Sequence, residues 1–153
     1  MKQFFLSILV ALVAVSSADT VNGQSLVGEG AKVEKLAGGM RFTEGPVWLP
    51  AGKKLVFSDI PNSKLMQWSA ADGLSVFQKS EQANGNILDL EGRIISCQHA
   101  ARNLVRIDAK GKLTVLADKF DGKRFNSPND VAVRSDGTLW FTDPPWGLRG
   151  EHE

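Results

Sequence analysis

Beyond residue 31 the chain is a succession of short apolar runs separated by polar turns. The runs are rich in Val, Ile, Leu, Phe and Trp, as in Leu55–Phe57 and Leu139–Phe141, and the turns are rich in Gly, Asp and Asn. Short β-branched and aromatic runs bounded by turn residues predict β-strands. No stretch after residue 18 has the 3.6-residue period of an amphipathic helix. The pattern therefore predicts an all-β protein.

The turns recur with a long period. In three places an oxygen-bearing side chain stands eight residues ahead of a glycine that introduces an apolar strand. The three pairs are Glu44 with Gly52, Asn84 with Gly92, and Asn129 with Gly137. The oxygen-bearing residues are 40 and 45 residues apart, which is the repeat length of a four-stranded propeller blade. The repeat therefore predicts a β-propeller.

Four strands are predicted in each of the first two repeats and two in the third. The predicted strands are Gly45–Leu49, Lys54–Ser58, Lys64–Ser69, Ser75–Gln78, Asn86–Leu90, Arg93–Gln98, Asn103–Asp108, Leu113–Ala117, Asp130–Arg134 and Thr138–Thr142. Lys32–Leu36 is predicted to be a lone strand ahead of them. Because propellers close with about four to eight blades, two and a half blades predict the front part of a larger, truncated protein. A complete small β-sandwich is the alternative.

The first 18 residues are predicted to be a signal peptide. Lys2 gives a positive start, residues 4–15 are largely apolar, and residues 16–18 are small enough for cleavage. The apolar run is too short for a bilayer span, which needs about 20 residues, so a stable membrane anchor is the less favoured alternative. We expect a secreted or periplasmic protein with a linker over residues 19–31 and a partial propeller over residues 32–153.

Charge and cysteine content exclude some classes of function. The formal net charge is +1 and no basic stripe is visible, so a nucleic-acid partner is not indicated. The single cysteine excludes an intrachain disulfide. Cys97 follows the apolar run Ile94–Ile95 and is predicted to be a small core residue, with a reactive thiol as the alternative.

The recurring oxygen-bearing residues are candidates for a shared site. If the repeats surround one axis, Glu44, Asn84 and Asn129 should converge on it. Carboxylate and carboxamide oxygens suit Ca²⁺, Mg²⁺ or Mn²⁺, and the sequence has no Cys pair or His-x-x-x-His motif for structural zinc. Taken singly, each side chain is equally typical of a solvated turn. The shared spacing is what favours a metal or ligand site.

The second strand of each repeat should return towards the same end of the molecule. It would bring Asp59, His99 and Asp143 there. His99 is equally typical of an edge-strand histidine, and Asp143 of a turn acceptor. Trp146 is a candidate wall for a sugar-like ring, or a cover for a blade edge.

Three segments together resemble the gluconolactonase/regucalcin (senescence marker protein) family. They are Thr43–Trp48, Asn126–Val131 and Trp140–Gly147, and the resemblance covers roughly residues 35–149. It implies a six-bladed β-propeller with one divalent cation on its axis, usually Ca²⁺, with Zn²⁺, Mg²⁺ or Mn²⁺ as alternatives.

The resemblance also implies roles for individual residues. Glu44 matches the family's metal-binding Glu, and Asn129 matches the first of its two metal-binding Asn residues. Asn84, His99 and Asp143 match positions that line the substrate pocket. The second Asn and the Asp that serves as general base are expected beyond residue 153.

The implied activity is metal-dependent hydrolysis of a sugar lactone such as glucono-1,5-lactone, and the implied partner is that small molecule. Two alternatives stay open: a non-catalytic, metal-containing propeller that binds a partner or carbohydrate, and a related metal-dependent esterase. Because half of the expected metal shell is absent from this sequence, we expect the 153-residue chain alone to be inactive.

Overall fold

The computed structural model describes residues 30–147, and these residues fold as antiparallel β-sheets. The first sheet has four strands, each paired with the next along the chain. Its strands are β1 (Thr43–Leu49), β2 (Lys54–Asp59), β3 (Lys64–Ser69) and β4 (Gly73–Lys79). Since neighbours in sequence are neighbours in space, short turns are enough to connect them.

The second sheet repeats this order, and two hairpins follow it. The four strands are β5 (Ala83–Leu88), β6 (Ile94–Gln98), β7 (Asn103–Ile107) and β8 (Leu113–Ala117). The hairpins pair β9 (Lys119–Phe120) with β10 (Lys123–Arg124) and β11 (Val131–Val133) with β12 (Leu139–Phe141). Three short 3₁₀ turns, Pro50–Gly52, Ile60–Asn62 and Pro145–Gly147, are the helical elements of the described residues. The prediction of an all-β chain with four strands in each of the first two repeats is confirmed.

Two details of the strand prediction are wrong. Lys32–Leu36 forms no strand, and Val33 and Leu36 are exposed. Among the described residues no backbone hydrogen bond joins this segment to a strand, and a strand needs a neighbour for its backbone groups. The second error is an omission: the hairpin of β9 and β10 has three charged residues and the exposed Phe120, without the apolar alternation that would reveal it.

The sheets pack face to face, and alternate residues of β6 belong to the two different interfaces. Ile94 lies in an apolar cluster shared with the first sheet, and Ile95 in a cluster shared with the β11–β12 hairpin. Successive side chains of a strand point to opposite faces, so a sheet between two others must be apolar on both. Buried Val56 and Leu65 complete the first cluster, and Leu104 contributes to the second.

Glycine allows the first strands of successive repeats to approach closely. A Cβ atom on Gly45 would lie 2.2 Å from the Asn84 carbonyl oxygen, and one on Gly85 would lie 2.3 Å from Asp130 Oδ1. Gly45 also has φ +55°, a conformation that side chains disfavour. Only glycine therefore fits directly after Glu44 and Asn84.

No helix among residues 30–147 has the length and apolar content needed to cross a membrane. The predicted signal peptide and most of the predicted linker lie outside the described residues.

Gly45→Ala should destabilise the fold far more than Gly92→Ala. Both glycines have positive φ, but a Cβ on Gly92 would meet no atom within 4 Å. Positive φ alone costs about 1–2 kcal/mol, and the steric overlap at position 45 should add about 1–3 kcal/mol. Urea unfolding followed by tryptophan fluorescence measures both losses. Equal losses would show that strand proximity is not tight at Gly45.

Candidate functional site

A cleft of about 590 Å³ opens where the first strands of the three repeats come together. We call it the first-strand cleft. Its lining residues are Glu44, Gly45, Pro46, Val47, Trp48, Asn84, Gly85, Asn86, Ile87, Asn129, Asp130, Val131 and Trp146. The structure thus brings together the three residues that the repeat singled out, Glu44, Asn84 and Asn129. We refer to these three as the candidate ligands.

Backbone contacts between neighbouring first strands build this cleft. The Gly85 amide donates a hydrogen bond to the Asn129 carbonyl oxygen at 2.8 Å. Asn86 Nδ2 donates to the Gly45 carbonyl oxygen, also at 2.8 Å. The glycine that follows a candidate ligand is therefore the point at which one first strand meets the next.

Asn84 is buried, and its side-chain amide is oriented by His99. Asn84 Nδ2 lies 2.9 Å from His99 Nε2, and only 6% of Asn84 is exposed. Because the amide nitrogen donates, the imidazole accepts and carries its proton on Nδ1. Burial lowers the pKa of His99, which also favours the neutral ring. His99 therefore contacts the cleft residue Asn84, and direct substrate contact by His99 stays a prediction.

Asn86 is a site residue that the sequence analysis missed. It is 7% exposed, and besides Gly45 its Nδ2 contacts Ser58 Oγ and the Asn84 carbonyl oxygen, each at 2.9 Å. Ser58 Oγ donates to the same Asn84 carbonyl at 2.6 Å. This buried network joins the first and second sheets beside the cleft. The available signal was the position of Asn86 two residues after a candidate ligand.

Asp130 was missed as well. It follows Asn129 at the place where the other repeats have glycine, and its exposed carboxylate lines the cleft. With Glu44 it gives the cleft two acidic side chains, and no Lys or Arg is among the described lining residues. The electrostatic environment therefore favours a cation.

A side chain at or just after the end of each second strand has a repeated role that the sequence analysis did not predict. Asp59, Gln98 and Asp143 occupy equivalent places, and each accepts a hydrogen bond from a backbone amide 17 or 18 residues earlier. His99, which had been aligned with the two aspartates, comes one residue later. We call Asp59, Gln98 and Asp143 the strand-end acceptors.

Asp143 makes contacts within its own repeat. Its Oδ2 accepts from the Asn126 amide at 2.7 Å, and its Oδ1 is enclosed without a hydrogen-bond partner. It is absent from the lining of the first-strand cleft. Direct substrate contact by Asp143 stays a prediction, while its hydrogen bond to the loop ahead of Asn129 is observed.

Two tryptophans border the cleft. Trp146 is 76% exposed and Trp48 is 50% exposed, and both are lining residues. Indole faces can cover the apolar face of a sugar-like ring, so the wall predicted at Trp146 has a second aromatic side chain close to it.

Cys97 is not among the lining residues of the first-strand cleft. It is fully buried in the apolar cluster between the second sheet and the third repeat. Burial, with the nearby charges of Asp130 and Asp143, raises the pKa of its thiol to about 12. A protonated, enclosed thiol is unreactive, which agrees with the predicted role as a small core residue.

The residues of the cleft fit an oxygen-ligated cation. Glu44 supplies a charged carboxylate, and Asn84 and Asn129 supply carboxamides. Residues 30–147 contain no group of three or more His, Cys, Asp and Glu side chains arranged around a metal position.

The sequence profile of one family, described as the SMP-30/Gluconolactonase/LRE-like region, matches residues 42–152. The chain belongs to this family. A gluconolactonase of Zymomonas mobilis subsp. mobilis is 33% identical in an alignment of 131 residues that covers 76% of this chain and 37% of that protein.

Solved structures agree with this gluconolactonase-like assignment. A gluconolactonase from Xanthomonas campestris has a TM-score of 0.69 at 40% identity, over 72% of this chain and 37% of that one. A structural-genomics protein assigned to the gluconolactonases has a TM-score of 0.76 at 39% identity, over 81% and 43%. Virginiamycin B lyase from Staphylococcus aureus, at 14% identity and TM-score 0.62, shares the fold alone. The chain spans about two-fifths of the length of these proteins.

Asp59→Asn should weaken the fold at neutral pH but not in acid. Burial alone would raise the pKa of Asp59, but hydrogen bonds from Asn62 and from the Arg41 and Phe42 amides lower it below its ordinary value of 3.8. The ionised carboxylate therefore stabilises the fold above pH 4, and this contribution is lost as pH falls through the lowered pKa.

Urea unfolding at pH 7 should show a loss of about 1 kcal/mol in Asp59→Asn, shrinking towards zero near pH 2. The exposed Asp118 provides the control, and Asp118→Asn should change stability little at either pH. A loss in Asp59→Asn that is independent of pH would contradict the charge-based explanation.

His99 should titrate below its ordinary pKa of 6.5, with the neutral ring protonated on Nδ1. Because burial favours the neutral form in the fold, protonation of His99 should destabilise the fold as pH falls through this lowered pKa. Nitrogen-15 NMR reports both the pKa and the tautomer. In Asn84→Ala the Nδ1–H preference should weaken, and a parent ring protonated on Nε2 would contradict the contact with Asn84.

Proposed function

We propose that this chain supplies part of the active site of a metal-dependent sugar-lactone hydrolase, with glucono-1,5-lactone as the representative substrate. The observation that carries the proposal is the convergence of Glu44, Asn84 and Asn129 in one cleft of a gluconolactonase-family chain. The relatives named gluconolactonase support the class of substrate. A six-bladed ring is part of the same proposal.

Glu44 and Asn129 are the proposed cation-binding residues, with Ca²⁺ as the preferred ion and Zn²⁺, Mg²⁺ or Mn²⁺ as alternatives. Such an ion, when bound, polarises a carbonyl group and lowers the pKa of a neighbouring water. Glu44 contributes the negative charge, and Asn129 contributes a neutral carboxamide oxygen. The second acidic side chain, Asp130, adds to the attraction of a cation into the cleft.

Asn84 is the proposed substrate-binding side chain. His99 contacts its amide nitrogen at 2.9 Å, which leaves the amide oxygen as the proposed contact for a substrate hydroxyl. Pre-orienting a polar group in this way reduces the entropy that binding must overcome. Trp48 and Trp146 are proposed to exclude water beside the substrate.

Export is also proposed, with residues 1–18 as a cleaved signal peptide, residues 19–31 as a linker and secretion or periplasmic location as the outcome. The charge, apolar run and small residues of this segment support the proposal.

Glu44→Gln and Asn129→Ala should each lower cation affinity. Terbium(III) is a suitable probe because it prefers oxygen ligands, and the indoles of Trp48 and Trp146 at the cleft can sensitise its emission. We expect a loss of about tenfold or more for each variant, because Glu44→Gln removes the negative charge of one ligand and Asn129→Ala removes a carboxamide oxygen. Glu91→Gln, which removes a carboxylate from the distant β5–β6 turn, is the control and should leave affinity unchanged. Unchanged affinity in both site variants would remove these residues from the metal site.

Catalysis is measured in a chimera in which residues 42–147 replace the equivalent segment of the Xanthomonas campestris gluconolactonase. Metal-dependent hydrolysis of glucono-1,5-lactone that is lost with Glu44→Gln supports the hydrolase. Cation binding without turnover in the chimera would instead favour a non-catalytic propeller. The 153-residue chain alone is expected to be inactive, so metal-dependent turnover by it would contradict that expectation.

A further inference from the structure

The strand-end acceptors make the same contact in all three repeats. Each accepts a hydrogen bond from the backbone amide that lies three residues ahead of a candidate ligand. The contacts are Asp59 Oδ1 with the Arg41 amide at 3.1 Å, Gln98 Oε1 with the Glu81 amide at 3.1 Å, and Asp143 Oδ2 with the Asn126 amide at 2.7 Å. The corresponding ligands are Glu44, Asn84 and Asn129. Three occurrences in one register indicate a feature of the repeat.

The side chains that make these contacts are well enclosed. Asp59 is 2% exposed and Gln98 is 1% exposed, and Asp143 Oδ1 has no contact with solvent. Hydrogen bonds are stronger where water is excluded, and breaking one leaves a buried group without a partner. Each acceptor therefore holds its amide in one place.

The amide that is held lies outside the ladder of the first strand. Arg41 and Asn126 precede β1 and β11, and Glu81 precedes β5. Three residues span at most about 11 Å, so fixing the amide confines the point at which the ligand residue enters the cleft. In the third repeat the Asn126 side chain adds a second contact, from its Nδ2 to the Asp143 carbonyl oxygen at 3.3 Å.

We propose that Asp59, Gln98 and Asp143 are positioning residues, each of which sets the location of its own candidate ligand at the first-strand cleft. Asp59 positions Glu44, Gln98 positions Asn84, and Asp143 positions Asn129. The role of the ligands as cation or substrate contacts rests on the proposed function, whereas the positioning itself is a property of the fold.

A matched control separates positioning from ordinary stabilisation. Asp108 also accepts two backbone hydrogen bonds, from the Lys110 amide at 2.8 Å and the Lys112 amide at 2.9 Å. It lies in the turn between β7 and β8, and neither partner amide stands three residues ahead of a candidate ligand. Its contacts are local and exposed, so Asp108→Ala removes side-chain contacts to backbone amides without touching the cleft.

The deciding measurement is the NMR signal of the asparagine side-chain amides in the 153-residue chain labelled with ¹⁵N-asparagine. Asp143→Ala should shift the Asn129 amide signal and leave the Asn84 signal in place. Gln98→Ala should do the reverse. Asp108→Ala should move neither, although its unfolding free energy falls. If Asp143→Ala fails to fold, the Gln98→Ala spectrum decides alone.

This crossed pattern is what a general loss of stability cannot produce, because loosening of the whole fold would move both signals together. Both signals moving in one variant, or neither moving in either, overturns the proposal. The conservative Asp143→Asn keeps an acceptor oxygen and should restore the parent Asn129 signal.

Terbium binding adds a readout tied to the site. Asp143→Ala should lower affinity about tenfold, in the range typical of residues that orient metal ligands, while Asp143→Asn and Asp108→Ala stay within about twofold of the parent. If the parent chain binds no terbium, a cation site made by Glu44 and Asn129 alone is contradicted, and the crossed NMR pattern still decides the positioning role. Binding in the parent with undiminished affinity in Asp143→Ala counts against the proposal.

Discussion

The structure depends on the close approach of successive first strands at positions that tolerate no Cβ atom. At Gly45 and Gly85 the neighbouring backbone lies within the space that a side chain would occupy. This proximity brings the residue before each glycine, Glu44 and Asn84, to the same cleft as Asn129. It also sets the separation at which the sheet faces meet, so the apolar clusters and the polar site have a common geometric origin.

Polar contacts rather than apolar packing define the sheets' alignment beside the cleft. Asn86, Ser58 and the Asn84 carbonyl form a network that is nearly inaccessible to water. Apolar side chains tolerate sliding of one face against another, whereas a buried hydrogen bond is satisfied in only one arrangement. The network therefore fixes the position of the first sheet relative to the second. The positions of the oxygen atoms at the cleft depend on this alignment.

The repeat could be predicted from the sequence because turns and apolar runs are local signals. The glycine spacing identified Glu44, Asn84 and Asn129, and the structure places them together. Residue spacing did not reveal that Gln98 is equivalent to Asp59 and Asp143. Each of the first two repeats has an irregularity in its first strand, between Glu44 and Val47 and between Ala83 and Asn86, and such bulges break a strict two-residue count.

Other contacts could not be predicted from the sequence because they join different sheets. The bond from Asn86 to the Gly45 carbonyl spans 41 residues of sequence, and the local pattern around Asn86 offers no signal beyond its position two residues after Asn84. Lys32–Leu36 forms no strand for a related reason, because strand formation depends on a neighbouring strand as well as on composition.

The electrostatic environment of the site also depends on residues that are far apart in the sequence. Burial is the largest cause of the raised pKa of Cys97, and the charges of Asp130 and Asp143 raise it further. The residue directly after Cys97 is the neutral Gln98, which accepts its backbone hydrogen bond without adding a further buried negative charge there. Asp59 lies on a different sheet, where hydrogen bonds from Asn62 and two backbone amides stabilise its negative charge.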